Sequence, residues 1–198
     1  MEKKGSLFLQ SLRVFLWMTL LTGLVYPLFI TAVAQLTMKR KADGSFVSYN
    51  GKLVGSSLIG QKFQGDKYFW PRPSSIDYNA LTSGGSNLGP TSAELKKAVD
   101  ERKSRISKGQ EKADAALIPE ELLFASGSGL DPHISPKTAY FQVDRIVKAR
   151  GLQHESGTKT INELIEKFTE SRHIKFLGYP YVNVLLLNIA LDEIQANK

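Results

Sequence analysis

The sequence predicts an α+β fold, with one N-terminal transmembrane helix followed by a single soluble domain of mixed helices and strands. Three features carry that reading. Val14 to Leu36 holds no charged residue. Two strand-like segments are split by Asn50-Gly51. Through the C-terminal half, apolar residues recur at helical spacing behind Ser, Thr and Pro start signals.

The uncharged run is long enough to cross a bilayer. At ~1.5 Å per residue it spans roughly 34 Å, against a hydrocarbon core of about 30 Å. Its few polar or conformationally special residues are Thr19, Thr22, Gly23, Pro27, Thr31 and Gln35. Threonine and glutamine can bond back to the helix, while Gly23 lets a neighbouring helix approach and Pro27 bends the contact face. The chain therefore divides into a leader (1–13), a spanning helix (14–36) and a domain (37–198). Ala32-Val33-Ala34 has the small-x-small form of a cleavage site, which would make the segment a leader of a secreted protein. The apolar run exceeds the ~7 to 15 residues of a signal core, which favours a retained helix. Lys3, Lys4 and Arg13 on one side balance Lys39, Arg40 and Lys41 on the other, so charge leaves the orientation open.

After the helix, SFVSY and KLVGSSLI flank Asn50-Gly51, a dipeptide suited to the positive φ values of a tight hairpin. The stretch from Lys67 to Pro90 combines aromatics, prolines and a Gly-Gly pair, so it reads as a long, ordered, irregular loop of the kind that carries function. Thr91 with Glu94 reads as a capping box for a charged surface helix, along whose thinly apolar face Leu95, Val99, Arg102 and Ile106 recur at helical spacing up to Gly109. Gln110 to Ala116 reads as a polar linker, and Pro119 opens a short helix. Ser135-Pro136 starts a helix whose face is Ala139, Val143, Ile146, Val147 and Arg150, closed by Gly151. Thr160 with Glu163 caps a further helix bearing the stripe Ile161, Leu164, Ile165, Phe168. The last segment, VNVLLLNIALDEI, suits a buried strand or helix, and its length and composition favour a helix from about Asn183.

Composition narrows the function. The chain has 198 residues, a net charge of +7 and no cysteine, which excludes disulfides, thiolate metal sites and a cysteine nucleophile. His133, His154 and His173 are scattered and no HExxH spacing occurs. Lys39, Arg40 and Lys41 suit lipid headgroups. Tyr68, Phe69 and Trp70 beside Arg72 offer a stacking platform for a nucleic acid, but no nucleic-acid motif accompanies the charge, and core packing or a protein contact is the plainer use.

Two constellations suggest chemistry. Ser128, Asp131 and His133 occur in a hydrolase order, giving a membrane-anchored serine hydrolase as the alternative function. They are crowded into six residues and lack GxSxG spacing. LTSGGSN (81–87) is glycine-rich like a phosphate-binding turn, yet no GxxxxGK[ST] loop is present, which argues against independent ATP hydrolysis.

Several blocks together are more specific: GLVYPLFITAVAQ, GSSLIGQKF, YFWPRPSSIDYNALTSGGSNLGP, SGSGLDPHISP, FQVDRIVKARG and YVNVLLLNIALDE. Through them the chain resembles, along almost its whole length, the KdpC family of C subunits of Kdp potassium-transporting P-type ATPases. The resemblance implies a non-catalytic, single-pass accessory subunit of the bacterial inner membrane, with a cytoplasmic amino terminus and a periplasmic domain. Implied partners are a channel-like potassium subunit, a P-type ATPase subunit, a small accessory peptide and membrane lipid. The implied role is assembly, together with action as a catalytic chaperone that raises the pump subunit's affinity for ATP. No firmly bound cofactor is implied, only ATP shared with that subunit.

The family's proposed nucleotide contact falls on Gln142. A periplasmic domain lies across the membrane from the cytosolic nucleotide site, which favours a structural or interface role there. The expected contacts are Gly23, Tyr26 and Pro27 on the helix. On the domain they are Tyr68, Phe69 and Arg72 of YFWPRPSS and Asp131 and His133 of SGSGLDPHISP, facing the potassium subunit's entrance.

Overall fold

The computed structural model describes residues 4–109, 117–171 and 178–196; the Gln110 to Ala116 linker and His173 lie outside the described residues. Helices α1 (Lys4–Leu20) and α2 (Tyr26–Ala42) form one long element joined by a π-helical turn, Leu21–Val25. The wide turn has a local cause. Pro27 lacks an N–H, and its ring would crowd the carbonyl four residues back, that of Gly23. The Tyr26 N–H instead reaches Leu21 O. The Thr22 and Thr37 hydroxyls each donate to a carbonyl one turn back, Met18 O and Val33 O, at 2.7 Å. The helix breaks direction at Met38 (φ −144°, ψ 45°), at the start of its basic last turn.

A hairpin of β1 (Phe46–Tyr49) and β2 (Lys52–Ser56) follows. Asn50 (φ 50°) and Gly51 (φ 72°) supply its turn, as the dipeptide predicts. Residues 57 to 92 contain neither helix nor strand. Helix α3 (Ala93–Gly109) is capped by Ser92, whose Oγ accepts the Leu95 N–H at 3.3 Å. Thr91 was the expected cap, but a turn closed by Ser92 N–H to Gly89 O places Ser92 at the half-helical position. A 3₁₀ turn (Glu120–Leu122) and β3 (His133–Ile134) come next.

The helix expected after Ser135 is two, α4 (Pro136–Phe141) and α5 (Val143–Ala149), interrupted at Gln142 (φ −90°, ψ −7°). Ser135 is the cap, accepting from Thr138 N–H at 3.2 Å. Helix α6 (His154–Phe168) begins before the expected cap, so Thr160 is interior and its hydroxyl bonds back to Ser156 O. The predicted stripe holds: Ile161 and Ile165 are buried, with Leu164 and Phe168 packed beside them. The final segment is both alternatives in sequence, β5 (Tyr181–Asn183) and α7 (Val184–Ala196), and Asn183 Oδ1 accepts from Leu186 N–H at the junction. Strand β5 lies between β3 and β4 (Thr169–Glu170) in a small antiparallel sheet.

The described residues of the domain form two apolar clusters. The larger joins α4 to α7 and β5 around Ile146, Ile161, Ile165, Val182 and Leu187; the smaller joins α3 to the 3₁₀ turn through Val99, Ile106, Leu122 and Leu123. Phe69 enters the first and Trp70 the second. Adjacent side chains thus enter different clusters, so one dipeptide staples both cores together.

Candidate docking surfaces and the buried clamp behind them

The irregular segment that carries Phe69 and Trp70 must satisfy its backbone without a neighbouring strand, and buried side chains do this carbonyl by carbonyl. Arg145 donates to Asp66 O and, through both terminal nitrogens, to Tyr68 O at 3.0 Å. Arg150 Nε donates to Lys67 O at 2.8 Å. Asn188 accepts the Phe69 N–H at 2.8 Å and donates to Phe69 O at 3.0 Å. Gln142 treats Trp70 in the same way, accepting its N–H at 2.8 Å and donating to its carbonyl at 3.2 Å. Five consecutive carbonyls, Asp66 to Trp70, are thus each held by a side chain from α5, its C-cap Arg150, α7 or the break between α4 and α5.

Gln142 is the family-implied nucleotide contact. It is 1% exposed, and its carboxamide also donates to Thr138 O at 3.3 Å and accepts from Arg145 at 2.7 Å. An amide has two N–H donors and two acceptor lone pairs. All four are used within the fold, leaving none for a nucleotide.

Arg145 also stacks its guanidinium 3.8 Å from the centre of the Trp70 ring, and Arg105 lies 4.4 Å from the same ring. Burial pushes the Arg145 pKa down to about 10, which leaves it cationic at neutral pH. A groove of about 800 Å³ runs between α3 and this segment, lined by Lys97, Arg105 and Lys108 as well as Asp66, Asp100 and Glu101. Gln142 does not line it.

The expected contact residues on the domain fall into three groups. Phe69 is fully buried, which corrects its reading as a contact: it supports the surface from within. Tyr68 is half-buried and donates to Asp192 Oδ2 at 2.9 Å. Burial, the Asp192 hydrogen bond and its charge all raise the Tyr68 pKa. Arg72, Asp131 and His133 do come together. Arg72 Nη1 lies 2.9 Å from Asp131 Oδ2, and Asp131 Oδ1 accepts the His133 N–H at 3.0 Å. The His133 ring packs edge-on to Tyr181 at 4.5 Å. Burial lowers the His133 pKa, against the opposing pull of Asp131 and Glu170.

Ser128 does not join them as a nucleophile. Its Oγ accepts the Leu130 N–H at 3.1 Å, and its carbonyl receives Gly84 N–H and the Ser83 hydroxyl. Among the described residues no bond links Ser128 to His133, so a hydrolase triad is not assembled.

These same contacts zip the SGSGL turn to the LTSGG loop. Gly129 (φ +68°) has no room for a side chain: a Cβ would lie 2.6 Å from Ile76 Cγ1 and 2.9 Å from Gly84 O. The glycines therefore pack loop on loop. The paired loops present Leu81, 94% exposed, at a tip held by Thr82 N–H to Asn79 O and Leu81 N–H to Asn79 Oδ1. Residues 79–92 and 126–130 contain no charged side chain, in keeping with the charge-poor centre of a protein interface. Leu81 was not singled out from sequence, since a lone loop leucine is ordinary until its exposure is known.

The helix is a second surface. From Leu7 to Lys41 every side chain except Ala34 is exposed. Gly23 has open space where a Cβ would stand, and Tyr26 projects beside it. The described length Leu7–Ala42 is apolar enough to cross a membrane.

The family model described as KdpC, K+-transporting ATPase, c chain, matches residues 8–193. The chain belongs to the KdpC family. Its relatives agree over nearly full length. The potassium-transporting ATPase KdpC subunit of Methylococcus capsulatus is 42% identical over 191 residues, covering 95% of this chain and 98% of its own. That of Pectobacterium atrosepticum is 47% identical over 187 residues (93% and 95%), and that of Koribacter versatilis 46% over 179 (89% of each). Membership in the KdpC family and the unassembled triad both argue against the hydrolase alternative.

Proposed function

We propose that this chain is a non-enzymatic accessory subunit of a potassium-transporting ATPase. In this reading α1 and α2 hold it in the bacterial inner membrane, with the amino terminus cytoplasmic, and residues 37–198 lie in the periplasm. The observation that carries it is the pairing of an apolar helix exposed at all but one residue from Leu7 to Lys41, with a π-helical turn at Leu21–Val25 just before Pro27, with a domain that has its own buried core. Such a helix needs lipid or other helices around it, and small residues let helix backbones approach. The family relationship supports the partners: a channel-like potassium subunit, a P-type ATPase subunit and a small accessory peptide. The uncharged loop surface around Leu81, flanked by Arg72, Asp131 and His133, is the domain's docking face for the potassium subunit.

The catalytic-chaperone role is retained in modified form. Gln142 is hydrogen-bonded to Trp70, Thr138 and Arg145, which supports a reading in which ATP is held by the pump subunit alone. This chain raises ATP affinity through docking, by favouring the pump conformation that binds nucleotide better. The test is to purify the ATPase from native membranes through a tag on this chain, then compare it with an ATPase made without the chain. Co-purification of the partners is expected, with loss of potassium-stimulated ATP hydrolysis when the chain is absent. An assembled pump with unchanged hydrolysis would overturn the proposal.

A further inference from the structure

The hairpin that follows the membrane helix, and the turn just after it, carry exposed apolar side chains. Phe46 is 57% exposed, Leu53 63% and Leu58, just beyond β2, 60%. Leu53 stands opposite Ser48, which is also exposed, while Val47 and Tyr49 turn to the half-buried side. A short strand pair would normally place polar residues on such a face.

The backbone ties this face to the end of the helix. The Ser45 N–H donates to Arg40 O at 2.9 Å, and the Asp43 and Gly44 N–H groups bond to Lys39 O and Lys41 O. Gln35 Nε2 reaches Asp43 Oδ1 at 3.0 Å. The far end of the hairpin is held at the same level, because the Ser57 N–H donates to Ser45 O and the Ser56 hydroxyl to Gly44 O. Arg40 lies four residues beyond Leu36, the last residue of the uncharged run. At ~1.5 Å per residue it is no more than about 6 Å past the hydrocarbon edge, and the bend at Met38 shortens that distance. The headgroup layer is of similar depth on each side. The base of the hairpin is therefore within the headgroup layer whenever the helix spans.

We infer that the hairpin lies along the bilayer surface with Phe46, Leu53 and Leu58 seated at the boundary between headgroups and acyl chains, and that it fixes the height and tilt of the domain above the membrane. The occupant of this face is phospholipid. Lys39, Arg40, Lys41 and Lys52 flank the apolar side chains, the combination by which surface-lying elements hold anionic lipid. Asn183 Nδ2 donates to Ser57 O at 2.7 Å, joining the hairpin to the junction of β5 and α7 and so to the main core. A seated hairpin thereby holds the Leu81 loops in a set orientation.

This inference rests on the spanning helix, and the experiment separates the two. The chain contains no cysteine, so single replacements can be labelled uniquely. Phe46→Cys, Leu53→Cys and Leu58→Cys in the full chain carry a nitroxide, with Leu24→Cys marking the membrane helix and Leu117→Cys an exposed position elsewhere in the domain. The labelled chains are placed in phosphatidylcholine and phosphatidylglycerol vesicles, alone and in the assembled ATPase. Relaxation by dissolved oxygen and by a water-soluble nickel chelate is then measured.

The three hairpin positions should favour oxygen over nickel by several-fold relative to Leu117, approaching Leu24. Nickel accessibility equal to that of Leu117, with Leu24 still in lipid, would overturn the hairpin proposal while leaving the spanning helix in place. Shielding from both reagents in the assembled ATPase would overturn it as well, by showing protein on this face. Water-like accessibility at Leu24 would instead remove the spanning helix and the inference with it.

Discussion

The long apolar helix and the Asp66–Trp70 segment are both rich in large apolar or aromatic residues, yet the fold treats them in opposite ways. Along the helix almost every side chain is exposed and its backbone is satisfied internally. In the segment the side chains of Phe69 and Trp70 are buried and every backbone carbonyl is held from outside, by Arg145, Arg150, Asn188 or Gln142. An aromatic cluster in a loop is thus no guide to a contact surface until its backbone has been accounted for. If the contrast is real, substitutions behind the segment should cost stability, whereas substitutions on the helix and the Leu81 loops should cost assembly.

The largest effect is expected at Arg145. Arg145→Leu removes the charged donor shared by the part-buried Asp66 and Tyr68 carbonyls and by Gln142 Oε1, at ~1.5–3 kcal/mol, and the stack on Trp70, at ~1–2 kcal/mol. A loss of about 3 kcal/mol or more is expected in denaturant unfolding of the full chain in detergent, followed by near-ultraviolet circular dichroism. Gln142→Ala should come next, at about 2 kcal/mol, since it frees the Trp70 N–H and carbonyl. It also sharpens the functional reading. In the fraction that still assembles, the KM for ATP should be unchanged; a several-fold rise with normal stability would restore Gln142 as a nucleotide contact.

The helix should behave in reverse. Gly23→Leu places bulk where the turn is open, so domain stability should hold while recovery of partner subunits in a tagged purification falls by about tenfold, equivalent to ~1.4 kcal/mol of docking. Leu81→Asp should follow at about 1 kcal/mol of weakened assembly. Its effect on unfolding should stay within ~0.5 kcal/mol, because the side chain is 94% exposed. Loss of domain stability in either variant would break the contrast.

Much of this organisation was legible in the residues. The spanning run, the Asn50-Gly51 hairpin, the Ser135 cap and the Ile161–Phe168 stripe depend on local chemistry, which sequence spacing records directly. The break at Gln142 did not follow from spacing, because it is set by bonds to Trp70, 72 positions away. Periodicity continues through the break, so Ala139, Val143 and Ile146 read as one face. The start of α6 was misplaced for a related reason: Gln153 caps without a side-chain bond, leaving no signal, while Thr160 and Glu163 imitate a capping box inside the helix. Of the candidate contacts, Arg72, Asp131 and His133 converge, whereas Phe69 is drawn into the larger core, its backbone held by Asn188, 119 positions away, which no pattern of neighbouring residues announces.

The smallest expected effect lies at His133, where the docking surface meets the core. Burial lowers its pKa below the ordinary ~6.5, although Asp131 and Glu170 pull it upward. The unfolded chain therefore binds this proton more readily than the folded one, and stability must rise with pH across the interval between the two values. The contribution is complete above about pH 6.5 and is lost as pH falls toward the lower folded value. The side chain is 37% exposed, so solvent screens the interaction and the slope should be shallow. Carboxylates stabilised by the fold would give a slope of the same sign, but at lower pH, so the comparison of parent with His133→Gln isolates the histidine. Unfolding midpoints measured between pH 5 and 7.5 should converge at the acid end and separate toward neutrality, less the constant offset from losing the Tyr181 contact. A separation that grows toward acid would mean that His133 is held protonated by Asp131, and that the charged cluster, rather than the core behind it, governs this edge of the surface.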